Sequence, residues 1–434
     1  MDLRSEERDD LVSLSENGDF QMEEVRSQTI DDLEFVGANG NDQERLSRQE
    51  VLNMAMLASI YFVAGIPPSL AGGTFPTILK PVLSYQEIGL ISVAFYPYSL
   101  KLVWSPFVDA VWSSRFGVRK SWIVPCLIVA SMLLFALSMA SSAMLQSFAS
   151  EAPSHQTLVL LTTTLTLLVA IVSTQSIATD SWTLVLFSSS KLPYASMAHS
   201  LSATAGHFTG YTLFLGLSST SRSSVFEHST PDSNLASLGK CLFVTSIFSL
   251  VLGCSIAVFK YEPSCRRDGT KELIWSRYRA LWRVVSLKPV QLLIAVHLVA
   301  RLGFEANDGA TMLKLIDKGV PQGHLAWFSL LTLPFEVTCG WLGGRWCARS
   351  HPLDVWCASY VARLSAAILS QIMMWAFPYI GPDQVVAWFD LIPALAMNVL
   401  NSGAATVASV AFTAWHFQVA QKEIGGSYIA LLAT

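Results

Sequence analysis

Apolar residues in this chain fall mostly in long unbroken runs, not in the three-and-four rhythm of a half-buried soluble helix. A bilayer crossing needs about 20 mostly apolar residues. On that measure the pattern predicts ten membrane helices, near 51–72, 86–111, 122–146, 158–187, 195–219, 241–260, 290–313, 325–346, 355–378 and 386–418. The fourth and tenth are long enough to cross at a tilt. The first fifty residues lack such a run.

Composition agrees with the pattern. Of 434 residues, 52% are hydrophobic and 14% charged, with a mean hydropathy of +0.44. Soluble chains carry nearly twice that charged fraction. The expectation is an all-α polytopic membrane protein. Residues 1–50 hold fifteen Asp/Glu against five Arg, a balance of −10, so with a total of −4 the rest of the chain stands at +6. Such a segment buries too little apolar surface to fold and is expected to be a disordered cytosolic tail. No cleavable leader is visible, so the first membrane helix would serve as the insertion signal.

Basic residues in short loops set the orientation. One side receives Arg115, Arg119, Lys120, Lys191, the cluster Arg266 to Lys288, Arg345 and Arg349; the other receives Lys80, Arg222, Lys240 and Lys318. The first side, with the N-terminus, is expected to be cytosolic. The seven cysteines are scattered without metal-ligand spacing, and the motifs of nucleophilic, phosphate-binding or dinucleotide-binding sites are missing. The expectation is a protein that is not an enzyme, with no cofactor, no metal and no nucleic-acid partner.

The longest internal loop, Tyr261–Pro289, is rich in Arg, Lys and Trp. It divides the chain into a six-helix bundle at 51–260, a basic cytosolic linker at 261–289 and a second bundle at 290–434. A shift of 237 residues aligns Gly72 with Gly309, Thr74 with Thr311, Pro97 with Pro334, Tyr98 with Phe335 and Trp104 with Trp341. Repeated halves with a substrate site between them are how many secondary transporters are built. The second half shows about four helices, and an eleventh begins at EIGGSYIALLAT. Either the last two helices are missing or the protein is a ten-helix form.

Charges inside the runs are the candidate chemistry, because each costs roughly 2.5–3.5 kcal/mol at the bilayer centre unless paired or hydrated. Lys101 lies about twelve residues from either end of the second predicted helix, on a face with Pro97, Trp104 and Val108 and beside Tyr98. It is either neutralised by an acid of a neighbouring helix or an anion-binding lysine among aromatic rings. The fourth helix ends in TQSIATDSW, where Gln175 and Asp180 could bond a polar ligand, or Asp180 could pair with a base. The seventh carries Arg301, Glu305 and Asp308 on one stripe, where Arg301 and Glu305 could pair, with Lys314 near its end. The ninth holds Arg363 far from either end.

The stretch YPYSLKLVWSPFVDAV closes on Asp109 and leads into RFGVRK. An acid closing the second helix before a short basic turn resembles the major facilitator superfamily. That resemblance implies a cytosolic gating latch of Asp109, Arg115, Gly117, Arg119 and Lys120. With GIPPSLAG, FGVRKSW, the Thr174–Trp182 pattern, the GF–AND–T–LKL pieces of the seventh helix, GVPQGHLA and IGGSY at 424–428, the chain more closely resembles the acetyl-coenzyme A transporter family of the endoplasmic reticulum membrane. The resemblance implies two six-helix halves, of which two helices would be absent here. It also implies export of acetyl-CoA into the lumen, in exchange for CoA, and admits a homodimer. Cations from both halves (Lys101, Arg301, Arg363, with Lys314 at the lumenal end) would hold the phosphates. Tyr98 and Trp104 would stack on adenine, and Gln175, Asp180 and Asp308 would serve its polar groups. Where the family usually has a second acid, this chain has Ser176. The rivals are a truncated, non-transporting membrane protein and a muropeptide- or peptide-type permease.

Overall fold

The computed structural model describes residues 47–79, 83–113, 116–149, 155–213, 232–262, 270–318, 320, 322–379, 388–420 and 425–433. Contacts divide the chain into two units, Met1–Leu52 and Asn53–Thr434, and the second carries everything below. It is helical, with no strand among the described residues beyond one isolated bridge between Ser113 and Gly117.

The helices are α1 Arg48–Ser69, α2 Phe75–Leu79, α3 Tyr85–Ser92, α4 Tyr96–Ala110, α5 Lys120–Ala149, α6 His155–Leu186, α7 Leu192–Phe208 and α8 Asp232–Phe259. After them come α9 Thr270–Val285, α10 Lys288–Asp317, α11 Gln322–Arg349, α12 Pro352–Ala376, α13 Trp388–Val419 and α14 Gly425–Ala433. Seven spans among the described residues are long and apolar enough to cross a membrane, against ten expected. Of the other three expected spans, α7 has 17 residues, and α10 and α11 each include residues whose side chains lie outside the described ones. α14 is the start of the expected eleventh helix. The sequence reading took Tyr261–Pro289 as a loop; the structure places a 16-residue helix, α9, within it.

Two expected spans are interrupted. Pro67 and Pro68 withdraw two amide donors from the end of α1, and the chain relaxes into a π-helical turn at Leu70–Thr74 before α2. A second π turn, Thr209–Leu213, follows α7, and the Thr74 hydroxyl donates to the Gly210 carbonyl across the two. Small residues make this approach available. A Cβ on Gly206 would lie 2.2 Å from the Phe62 carbonyl oxygen, and one on Gly65 would lie 2.6 Å from that of Ala203.

The first half packs α5 against α8, where the Ser249 hydroxyl donates to the Leu127 carbonyl at 3.0 Å and that of Ser138 to the Gly239 carbonyl at 2.7 Å. In the second half, α12 and α13 stack Trp356 on Phe412 with ring centroids 5.9 Å apart. The halves meet along α7, α11 and α13, where a Cβ on Gly340 would press on Leu201 and one on Gly344 on Met197.

Candidate substrate site and latch

In the first half, four helices bring titratable groups together. Lys101 on α4 is 2% exposed, and its Nζ lies 4.6 Å from the centre of the Tyr98 ring. Among the described residues it makes no hydrogen bond and no ion pair. Asp180 on α6, 5% exposed, instead accepts from the Tyr61 hydroxyl of α1 at 2.8 Å, and Thr183 lies 3.1 Å from the same hydroxyl. The His199 imidazole of α7 meets the Tyr61 ring edge-on at 4.3 Å. Its buried Nδ1 has no hydrogen-bond partner among the described residues. Trp104 donates its indole N–H to Thr174 at 3.2 Å. Gln175 is fully buried with neither amide atom bonded to protein.

In the second half, the Arg363 guanidinium lies 4.3 Å from the Phe304 ring centre, and Phe304 meets Tyr360 edge-on at 5.1 Å. The ring beside Lys101 is thus Tyr98 and the ring beside Arg363 is Phe304. Lys314 donates to Gln371 at 3.3 Å, and Gln371 donates in turn to Asn307 at 2.9 Å. This chain of bonds runs beside a cavity of about 280 Å³ whose polar lining is Asn307, Thr311, Ser370, Asn398, Asn401 and Ser402. Arg301 and Asp308 lie on α10, with side chains outside the described residues.

The charged turn after α4 divides into two parts. Asp109 Oδ2 accepts from the Ser427 amide at 2.7 Å and the Ser427 hydroxyl at 2.6 Å, so the end of α4 caps the start of α14. α14 opens on Gly425 and Gly426, and a Cβ on Gly426 would lie 2.6 Å from the Asp109 carboxylate. Arg119 and Lys120 turn to Glu262 instead. The Glu262 carboxylate accepts from both backbone amides, at 3.1 and 3.0 Å, and pairs with the Arg119 guanidinium at 3.6 Å. It thus seats a negative charge at the N-terminus of α5. Lys120 donates to the Ala257 and Lys260 carbonyls at the end of α8. Gly117 sits at φ +91°, and a Cβ there would also strike Glu262 at 2.5 Å. Arg115 lies outside the described residues. The direct bonds of Asp109 are therefore to a hydroxyl and an amide of the second half, and the basic turn belongs to the first.

Sequence reasoning missed Tyr61, His199, Glu262, Ser427 and the asparagine-lined cavity. Tyr61 and His199 sit singly in apolar runs, and Glu262 in a charged linker. IGGSY was a legible signal, since glycines before a serine suit a helix start held close to a partner.

Comparison with known proteins sets this geometry in context. The family profile described as acetyl-coenzyme A transporter 1 matches residues 53–273, 256–355 and 350–434. An uncharacterized membrane protein of Saccharomyces cerevisiae is 29% identical over 458 residues, covering 90% of this chain and 81% of its own. An uncharacterized protein of Schizosaccharomyces pombe is 30% identical, covering 90% and 72%. Among solved structures, the major facilitator superfamily transporter FucP in its outward conformation superposes with a TM-score of 0.56, covering 89% of each chain at 17% identity. The fold is that of a major facilitator transporter. The chain belongs to the acetyl-coenzyme A transporter 1 family.

Proposed function

We propose that this multi-pass membrane transporter moves acetyl-CoA from the cytosol into the endoplasmic reticulum lumen in exchange for CoA. Alternating access between its two halves would carry the substrate. The observation that bears most weight is Lys101, a cation 2% exposed with a tyrosine ring, not an acid, as its neighbour. A buried lysine serving only the fold should sit on a carboxylate, since an unpaired charge is costly. Asp180 is bonded by the Tyr61 hydroxyl instead. The lysine is thereby left for an anionic ligand, and the pyrophosphate and ribose phosphate of acetyl-CoA suit such a centre.

In this reading Arg363 and Arg301 supply the planar forks that phosphate takes bidentately, and Lys314 guards the lumenal end. Tyr98 and Trp104 offer ring faces to adenine. Gln175 brings an unbonded carboxamide. The cavity between α10, α12 and α13 presents side-chain amides and hydroxyls without charge, a lining suited to the amides of the pantetheine arm. Asp109, Gly117, Arg119 and Lys120, with Arg115, form the cytosolic gate.

The test is uptake of labelled acetyl-CoA by proteoliposomes containing this chain. Uptake accelerated by CoA trapped inside is the expected result. Liposomes that accumulate no acetyl-CoA, with or without internal CoA, would refute the reading.

A further inference from the structure

The helix α9, TKELIWSRYRALWRVV, has two unlike faces. Its inner face holds the body of the protein. Leu281 and Val284 are buried, and Val284 packs with Val290, Tyr428 of α14 and Ile294 of α10. Tyr278 donates its hydroxyl to the Val103 carbonyl of α4 at 2.7 Å. One short helix thus touches the last turns of α4 and the start of α14, the two elements joined by Asp109 and Ser427.

The outer face has no such contacts. Trp275 is 67% and Trp282 72% exposed, and Arg279 and Arg283 are exposed beside them. The four fall at i, i+4, i+7 and i+8, one continuous stripe. From Lys271 to Lys288 the sequence has five basic residues against one acid, Glu272. Two indoles fully in water would be an unfavourable use of the two largest side chains. Interleaved with guanidinium groups, they suit the headgroup depth of a bilayer, where indole takes the interface and arginine the phosphate. The connections keep the helix at that depth, because only Ser286 and Leu287 separate α9 from α10. On the other side, Phe259 and Tyr261 at the end of α8 are 85% and 82% exposed.

We propose that the Trp275–Arg279–Trp282–Arg283 face of α9 binds anionic phospholipid headgroups of the leaflet it lies on. Through Tyr278 and Val284, that lipid holds α4 and α14 in their joined arrangement. The transporter would respond to the charge of its membrane independently of which substrate it carries.

The full chain would be placed in nanodiscs of phosphatidylcholine alone or with phosphatidylserine, in parent, R279Q/R283Q, R279K/R283K and W275F/W282F forms. Lipids brominated near the headgroup should quench a fraction of the parent's indole fluorescence that W275F/W282F lacks. Phosphatidylserine should slow amide exchange in the peptides of α9 and of α14. The apparent affinity for phosphatidylserine read from that slowing should fall about thirtyfold in R279Q/R283Q, taking two cations at the usual value for a charged surface, and be largely kept in R279K/R283K. Equal quenching of parent and W275F/W282F would put the stripe in water or against protein and overturn the proposal. So would an effect of phosphatidylserine that survives R279Q/R283Q. An appearance of dimers lost in W275F/W282F would assign the face to a second copy instead. If α9 alone were protected while α14 exchanged unchanged, lipid binding would stand and its link to the latch would fall.

Discussion

Lys101, Asp180, Tyr61 and His199 come from four helices; the first three are buried, as is the His199 Nδ1, where a charge or polar atom needs a reason. If Lys101 binds a phosphate, Lys101→Gln removes a charge-assisted bond of roughly 1.5–3 kcal/mol. Acetyl-CoA affinity, measured by titration calorimetry on the purified protein, should drop about tenfold to a hundredfold. Folding should suffer less, because among the described residues the side chain pairs with no acid and a neutral group is cheaper to hold in a bilayer. Unchanged affinity would end the anion-site reading for this lysine. At Gly117, φ +91° and the contact with Glu262 are two separate objections to a side chain. Gly117→Ala should lower the unfolding temperature and loosen the 113–120 turn, whereas Gly89→Ala, where a Cβ meets nothing within 4 Å, should not.

Between elements, the closest approach is that of α1 and α7. Gly206→Val would force atoms into the Phe62 carbonyl at 2.2 Å. Overpacking of this kind costs roughly 1–3 kcal/mol, so a lower melting temperature in detergent is expected, and an unchanged one would mean the helices stand further apart. The α4–α14 junction carries the gating proposal. Asp109→Asn keeps an acceptor for the Ser427 amide but loses the charge at a helix N-terminus. Transport in proteoliposomes should slow while acetyl-CoA affinity holds, since the groups around Lys101 are untouched. A large loss of affinity with normal turnover would contradict a gate. Among the described residues of the basic turn, Arg119 and Lys120 are held by Glu262, which takes both backbone amides and the guanidinium of Arg119.

For the molecule as a whole, the sidedness of the loops is the quantity to measure. By the distribution of basic residues, the 261–289 segment is expected to be cytosolic. A cysteine replacing Ser286, an exposed position, should react with an impermeant reagent from the cytosolic side of sealed vesicles, in a background lacking the native cysteines. Reaction only after permeabilisation would invert the topology, and with it the direction proposed for transport.

Hydropathy alone made the membrane fold legible, because length and apolarity of a run are local properties and a bilayer demands both. The intramembrane charges stood out for the same reason: Lys101 or Arg363 is conspicuous wherever its neighbours are apolar. The resemblance carried by YPYSLKLVWSPFVDAV and its companion pieces pointed to the family the whole-chain comparison shows. Local pattern could not say which charges meet. That Asp180 bonds Tyr61 and leaves Lys101 to a ring depends on the relative rotation of α1, α4 and α6, which hydropathy does not encode. The π turns after α1 and α7 were equally invisible, since they answer to glycine contacts between helices more than a hundred residues apart. Glu262 and Ser427, ordinary in sequence, became partners of Arg119 and Asp109 because tertiary packing carried them to the two ends of one turn.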